Sequence, residues 1–323
     1  IGEAHRRLGD YTSAEPHLRR ALELCQQFLG RDQRLTLTAM SDLATLLDQQ
    51  GRYSESEELR LRTLELGREV LGRDHPDTVV YLIALGVLFH NQTRFEEAEA
   101  SLTEALELAH RLLPEDHSDA ISATSNLAAT YLAQGRVEDA EPLMVETLEL
   151  RRRVLGEDHP KTLTSMNNLG FLYDRLGRPE DTERLFSRTL ELRRARLGGN
   201  HPETLMSLRS LGIFYARQGR LEEAEPLFAT LVVNAKDGVP DGHRAVFLGQ
   251  HGKCLTALGR YAEAEVALLE SHEILGGQLG PSNERCLEII RLLVELYEVW
   301  DQPAEAATWR AKLDKMAETQ PAE

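Results

Sequence analysis

Long apolar runs are missing from this sequence. Nowhere do about 18 apolar residues follow one another, the length a membrane-spanning helix needs, so none is expected. Cysteine is scarce: Cys25, Cys254 and Cys286 lie far apart, outside any CxxC or Cys/His ligand spacing. That spacing argues against a disulfide framework and a cysteine-held metal, and it suits a reducing compartment, so a cytoplasmic protein is expected. Basic charge is in deficit, with 37 Lys and Arg against 53 Asp and Glu and a net charge of −16. A surface of that sign repels phosphate, so neither nucleic acid nor an anionic membrane is an expected partner. The opening Ile1-Gly2-Glu3-Ala4-His5-Arg6-Arg7 does not read as a secretory leader.

What the sequence has instead is a period. Gly9, Gly51, Gly135, Gly177 and Gly219 fall on one 42-residue grid, and Thr93-Arg94 fills the missing step. The grid continues at Gly259 after a shortened interval of 40 and reaches Asp301-Gln302 after another 42. A fixed period of this size signals a solenoid, because one unit cannot bury its apolar face alone and must stack on its neighbours. The expected organisation is one array over residues 1–323. It comprises a half repeat at 1–30 and repeats at about 31–72, 73–114, 115–156, 157–198, 199–238, 239–280 and 281–316. Ile1-Gly2 aligns with steps such as Leu43-Ala44 and Leu169-Gly170 in the middle of a helix, so the chain reads as beginning half-way through a repeat.

Within the unit from His159 to Asn200, Leu163, Met166, Leu169, Leu172, Tyr173 and Leu176 recur at three- and four-residue steps, one apolar face of a helix. Pro160 suits the first helical position, and Gly177 suits the left-handed turn that ends it. A second helical pattern runs from Thr182 through Leu185, Phe186 and Leu190 to Leu197. No β-branched alternation proposes a strand. Small residues recur where the two helices must approach, at Ala98, Ala140, Ala224, Ala264 and Ala306, with Ser56 and Thr182 as substitutes. Pro16, Pro142 and Pro226 are expected to bend the second helix slightly.

Leu169-Gly170, Tyr173, Gly177-Arg178, a small residue at 182 and the apolar run beyond it resemble the tetratricopeptide repeat. The stretch Leu155-Gly156-Glu157-Asp158-His159-Pro160 between units, with Asn167-Asn168-Leu169 inside one, is similar to the 42-residue kinesin light chain type of that family. The resemblance implies an all-α, right-handed superhelical solenoid of antiparallel helix pairs, with first helices on the concave face. It implies a binding platform and no cofactor.

The histidines at 75, 117, 159 and 201 invite a metal reading, but they are spaced one full repeat apart. Stacked equivalent positions lie roughly 10 Å apart, about one helix-packing distance, and cannot share an ion whose ligands sit at about 2 Å. A turn role before the helix-opening proline is the expected one. Catalytic motifs are absent: His272-Glu273 has Gly276 where a zinc-protease helix needs His, and Gly252-Lys253 lacks the upstream glycine of a phosphate loop. No nucleophile, base and orienting group come together in the pattern, so the protein is not expected to be an enzyme.

In tetratricopeptide arrays the positions flanking the Leu-Gly step point into the concave groove. By that resemblance the groove holds Asp42, Asn126, Asn167, Asn168 and Arg209, with Phe171, Met206 and Ile213 nearby and His90, Asp174, Arg175 and Arg217 further along. Asparagine can grip a peptide backbone whatever its side chains, and arginine can clamp a carboxylate. The bland alternative is that these are the polar halves of amphipathic helices. The clamp by which related arrays bind chaperone tails is missing, since Ile83 and Val87 precede Asn126 in register, and Met206 and Ser210 follow Asn168.

Three functions compete. The first is a scaffold that binds an extended protein or peptide segment, acidic with an apolar anchor, in the concave groove. The second is a regulatory or substrate-recruiting carboxyl-terminal arm of a larger bacterial enzyme such as a serine/threonine kinase. It rests on the resemblance of the ending, Leu292 to Trp300 with Ala306-Ala307-Thr308-Trp309-Arg310, to tails that follow such kinases. The third is self-association through the array ends.

Overall fold

The computed structural model describes residues 4, 6, 9–30, 33–236, 239–280 and 283–317. Fifteen helices, and no strand, occur among them. The half-helix expected at Ile1-Gly2 and the centre of the connection at 237–238 lie outside the described residues. The helices pack into two compact units, residues 1–165 and 166–323.

The first unit contains α1 (Tyr11–Phe28), α2 (Arg34–Gln49), α3 (Tyr53–Val70), α4 (Pro76–Asn91), α5 (Phe95–Leu112), α6 (Ser118–Ala133) and α7 (Val137–Leu155). Helix α8 (Pro160–Arg175) crosses the boundary. The second unit continues with α9 (Pro179–Leu197), α10 (Pro202–Arg217), α11 (Leu221–Asn234), α12 (Asp241–Ala257), α13 (Tyr261–Leu279), α14 (Glu284–Val299) and α15 (Pro303–Ala317). Consecutive helices pack against each other, α2 on α3, α4 on α5, α10 on α11 and α12 on α13, and in each unit a pair then stacks on the next.

The turn inside each pair requires one left-handed residue. Gly51, Gly135, Gly177, Gly219 and Gly259 have φ between +67° and +78°, a region open to glycine and strained for a residue with a Cβ. Thr93 (φ 61°) and Asp301 (φ 59°) hold that conformation without glycine, so the backbone turn persists where the sequence grid is broken. Pro16, Pro142 and Pro226 lie inside α1, α7 and α11, near their starts.

Each pair closes on a small residue. Ala98, Ala140, Ala224 and Ala264 are fully buried, as are Ser56 and Thr182, so the expected close approaches are present. The Leu-Gly step is the other close contact: a Cβ on Gly170 would stand 2.6 Å from Cε1 of Phe186, whose ring occupies that space. The core of the first unit runs through Leu37, Val79, Leu82, Leu88 and Ala105. In the second unit one cluster centres on Phe186, Leu208, Phe214 and Phe228, and another on Leu268, Ile290, Leu293 and Trp309.

The repeated histidines cap helices. Nδ1 of His75, His117, His159 and His201 accepts the backbone N–H of the residue two positions on, at 3.1, 3.2, 3.2 and 3.2 Å. This satisfies a donor that an α-helix leaves free at its start. Asn283 does the same through its side-chain oxygen for α14, at 3.1 Å to the N–H of Arg285. Among the described residues no group of His, Cys, Asp and Glu is placed to hold a metal ion.

Candidate functional site

The first helices of the pairs in the second unit, α8, α10, α12 and α14, turn one face to their own second helices. The opposite face carries Asn168, Phe171, Arg175, Met206 and Arg217 in exposed positions. Phe171 and Met206 each expose 44% of their surface, a level shared by other apolar side chains such as Val80 and Leu61. Phe171 is held in place from beneath by the edge of the Phe186 ring, with centroids 5.0 Å apart. Ile213 is half-buried and packs on the core.

The polar members are engaged to different degrees. Asn167 is half-buried, and its Oδ1 is shielded from solvent without a hydrogen-bond partner. Arg209 is half-buried, and its Nε donates to the neutral Oε1 of Gln250 at 3.1 Å. Burial with no carboxylate beside it pushes the Arg209 guanidinium below its ordinary range, though an arginine remains a cation at any working pH. Arg217 differs from the sequence expectation of an inward arginine awaiting a ligand, since its Nη1 donates to Asp174 Oδ2 at 3.1 Å. Asn126 lies on α6 in the first unit, and its amide nitrogen donates back to the Ser122 carbonyl at 2.9 Å. His90, on α4, meets Thr130 Oγ1 at 3.2 Å instead of facing outward alone.

A cleft of about 440 Å³ opens on this face between α10, α12 and α14. It contains two of the residues expected from the sequence, Met206 and Arg209, and adds Gln250, Lys253, Arg285 and Glu288, which the repeat register had not singled out. The other expected residues of α8 and α10 do not line that cleft.

Burial pushes the thiols of Cys254 and Cys286 up, away from the thiolate form. Cys254 is 3% exposed, and burial, with Glu225 nearby, pushes its thiol up to about 11. At neutral pH it stays protonated and is a poor nucleophile. No helix among the described residues is long and apolar enough to cross a membrane.

Stacked antiparallel helix pairs, joined by left-handed turns at a fixed period and leaving one face of their first helices open, define an α-helical repeat protein. The chain belongs to the tetratricopeptide repeat family, whose profile matches residues 1–59, 49–110, 119–195 and 175–232. Structural neighbours of the chain include kinesin light chain-like repeat proteins. One similar solved structure is a Podosopora anserina putative kinesin light chain with nearly identical TPR-like repeats. It is 23% identical, covers 61% of this chain and 93% of its own, and has a TM-score of 0.57. Another is BtubC (BKLC) from P. vanneervenii, 21% identical over 71% of this chain and 91% of that one, with a TM-score of 0.60. A Rap protein complexed with Competence and Sporulation Factor is 14% identical over 95% of this chain and 82% of its own, with a TM-score of 0.56. At these identities the likeness is one of fold. No curated protein matches the chain.

Proposed function

We propose that the protein is a non-catalytic scaffold whose second unit binds an extended peptide across the open face of its first helices. The peptide carries an apolar or aromatic anchor flanked by Asp or Glu. The observation that carries this reading is the half-buried Arg209, a cation paired with a neutral amide on a chain of net charge −16. An unneutralised charge in a partly desolvated position gains from an anionic ligand more than one in open water would.

Phe171 and Met206 supply exposed apolar surface to either side, and Asn168 supplies a donor and an acceptor for a peptide backbone. Arg175 adds an exposed positive charge, worth about 0–1 kcal/mol to an acidic ligand. Arg217 contributes less, because Asp174 already neutralises it. Asn126, on α6 of the first unit with its amide nitrogen engaged by Ser122, keeps an acceptor oxygen for a separate backbone contact. The Rap protein of the same fold is complexed with a factor, which supports a binding role for such arrays.

The test is selection from a random peptide library, followed by titration of the selected peptides against wild type, Asn168→Ala and Arg209→Ala. Asn168→Ala is expected to weaken every selected peptide several-fold. Arg209→Ala is expected to weaken the acidic ones about tenfold, the size of one charge-assisted hydrogen bond. Selection of basic peptides, or unchanged binding by both variants, overturns the assignment.

A further inference from the structure

One lining residue of the cleft between α10, α12 and α14 is a glycine at a position where the neighbouring repeats carry a long side chain. Counted from the turn residues Gly219, Gly259 and Asp301, Gly249 stands where the preceding repeat has Arg209 and the following one has Arg291. A Cβ at Gly249 would lie 2.5 Å from Cδ1 of Ile289, so α12 and α14 meet across a glycine where neighbouring repeats carry a long side chain. The cleft beside this contact is about 440 Å³, within the range of small-ligand sites.

Its polarity is graded from bottom to mouth. The floor is formed by Phe247 (3% exposed) and Ile289 (4%), with the fully covered Leu275 behind them. Leu275 belongs to α13, a second helix, so the open part of the cleft ends at Phe247 and Ile289 in front of it. At the mouth stand the cations Arg209, Lys253 and Arg285 and one carboxylate, Glu288. Lys253 and Arg285 are exposed, whereas Arg209 is half-buried and meets Gln250. Three cations against one anion is the reverse of the balance of the whole chain.

We infer that this cleft binds a small monocarboxylic acid with an apolar tail. The tail rests on Phe247 and Ile289, and the carboxylate meets Arg209 with Lys253 and Arg285 around it. A pit that is apolar at the bottom and cationic at the mouth takes the end of a chain, tail first; an extended peptide lies across such an opening and leaves its floor unfilled. Glu288 at the same mouth favours a single negative charge over a dianion. The site goes beyond the peptide reading and shares only Arg209 and Met206 with it, so an acid seated here competes with a peptide that crosses Arg209.

The probe is octanoate, titrated calorimetrically into the purified chain, with butyrate and octylamine as parallel arms. Octanoate is expected to bind at one site with a Kd below about 1 mM, butyrate far more weakly, and octylamine not at all. Arg209→Gln is expected to weaken octanoate at least tenfold. Gly249→Ala is expected to do the same with an undiminished thermal melt, because alanine is the better helix former and the atom it displaces is the flexible end of Ile289. Arg20→Gln, an exposed cation on α1, is expected to leave octanoate binding unchanged and controls for bulk charge. Octylamine binding as well as octanoate, or Gly249→Ala binding octanoate like wild type, overturns the inference. So does absence of saturable octanoate heat while a peptide with a free carboxyl-terminal leucine binds, since the occupant is then a chain terminus. Failure of the peptide reading shows separately, in Asn168→Ala, a residue the acid does not touch.

Discussion

Arg136 reaches back across one repeat to Glu99, its Nη1 donating to the two carboxylate oxygens at 2.9 and 2.8 Å. The same guanidinium lies 4.1 Å over the ring of Tyr131 and donates from Nε to Asp139. The arrangement recurs one repeat earlier, with Arg94 on Glu57 and the Phe89 ring, and in the second unit with Arg220 on Glu183 and the Tyr215 ring. Arg52 reaches Glu15 in the same way, at 2.7 Å. Each turn is thereby tied to the second helix of the repeat before it.

This tie predicts an acid limb in stability. The Arg52 guanidinium, with Gln50 beside it, holds the Glu15 carboxyl at about 2, below its ordinary 4.5. A carboxylate depressed on folding stabilises fully above its unfolded value and loses that contribution as pH falls through the folded one. The melting temperature of the chain is therefore expected to hold steady above about pH 5 and to decline between 4.5 and about 2. Arg52→Gln is expected to flatten part of that decline. A pH series of thermal melts on both proteins checks it.

The histidine caps make a second prediction. His201→Ala removes the acceptor for the Glu203 N–H and is expected to cost about 1 kcal/mol in urea unfolding, whereas His201→Asn, which supplies the cap that Asn283 supplies to α14, is expected to cost little. Equal losses for the two substitutions would show that the ring matters for packing and not for capping.

Thr93 gives a prediction of opposite sign. It is a β-branched residue in the left-handed region, at the place where equivalent turns have glycine. Thr93→Gly is expected to stabilise the first unit by about 1 kcal/mol, the order of the left-handed strain it relieves. The reciprocal change Gly177→Thr is expected to destabilise the second unit by a similar amount. Chemical denaturation of the two variants beside wild type gives both signs in one experiment.

Close packing can be tested at Ala140, which has no exposed surface. Ala140→Leu is expected to cost about 1–3 kcal/mol by overpacking, and the exposed Glu138→Gln to stay within about 0.5 kcal/mol. Coincident urea midpoints for these two would place the small-residue register elsewhere.

The fold was legible because its signals repeat. One left-handed residue, one small residue and one apolar stripe return in every unit, and each is demanded by backbone geometry or packing whatever the ligand. Even Thr93 and Asp301 could be placed by period alone. The site was less legible because a binding face is made of departures from the repeat. Gly249 is conspicuous only against Arg209 and Arg291, and the interval shortened to 40 residues hides that equivalence from a strict 42-residue comparison. Lys253, set aside in the sequence as no phosphate-loop lysine, lines the cleft for a different reason. The pairing of Arg217 with Asp174 needed coordinates, since nothing in the spacing says which of several polar neighbours a long side chain will choose.

The joint before α15 departs from the others. At the turn that follows Tyr297 the arginine is replaced by Gln302, and Glu265 instead accepts the hydroxyl of Tyr297 at 2.6 Å. Rising ionic strength weakens part-exposed pairings of opposite charges while leaving a neutral donor largely untouched. Concentrated salt therefore slackens the arginine ties within the array more than the Tyr297–Glu265 bond, while the exposed Arg310–Glu298 pair that also joins α15 to α14 weakens with the other ion pairs.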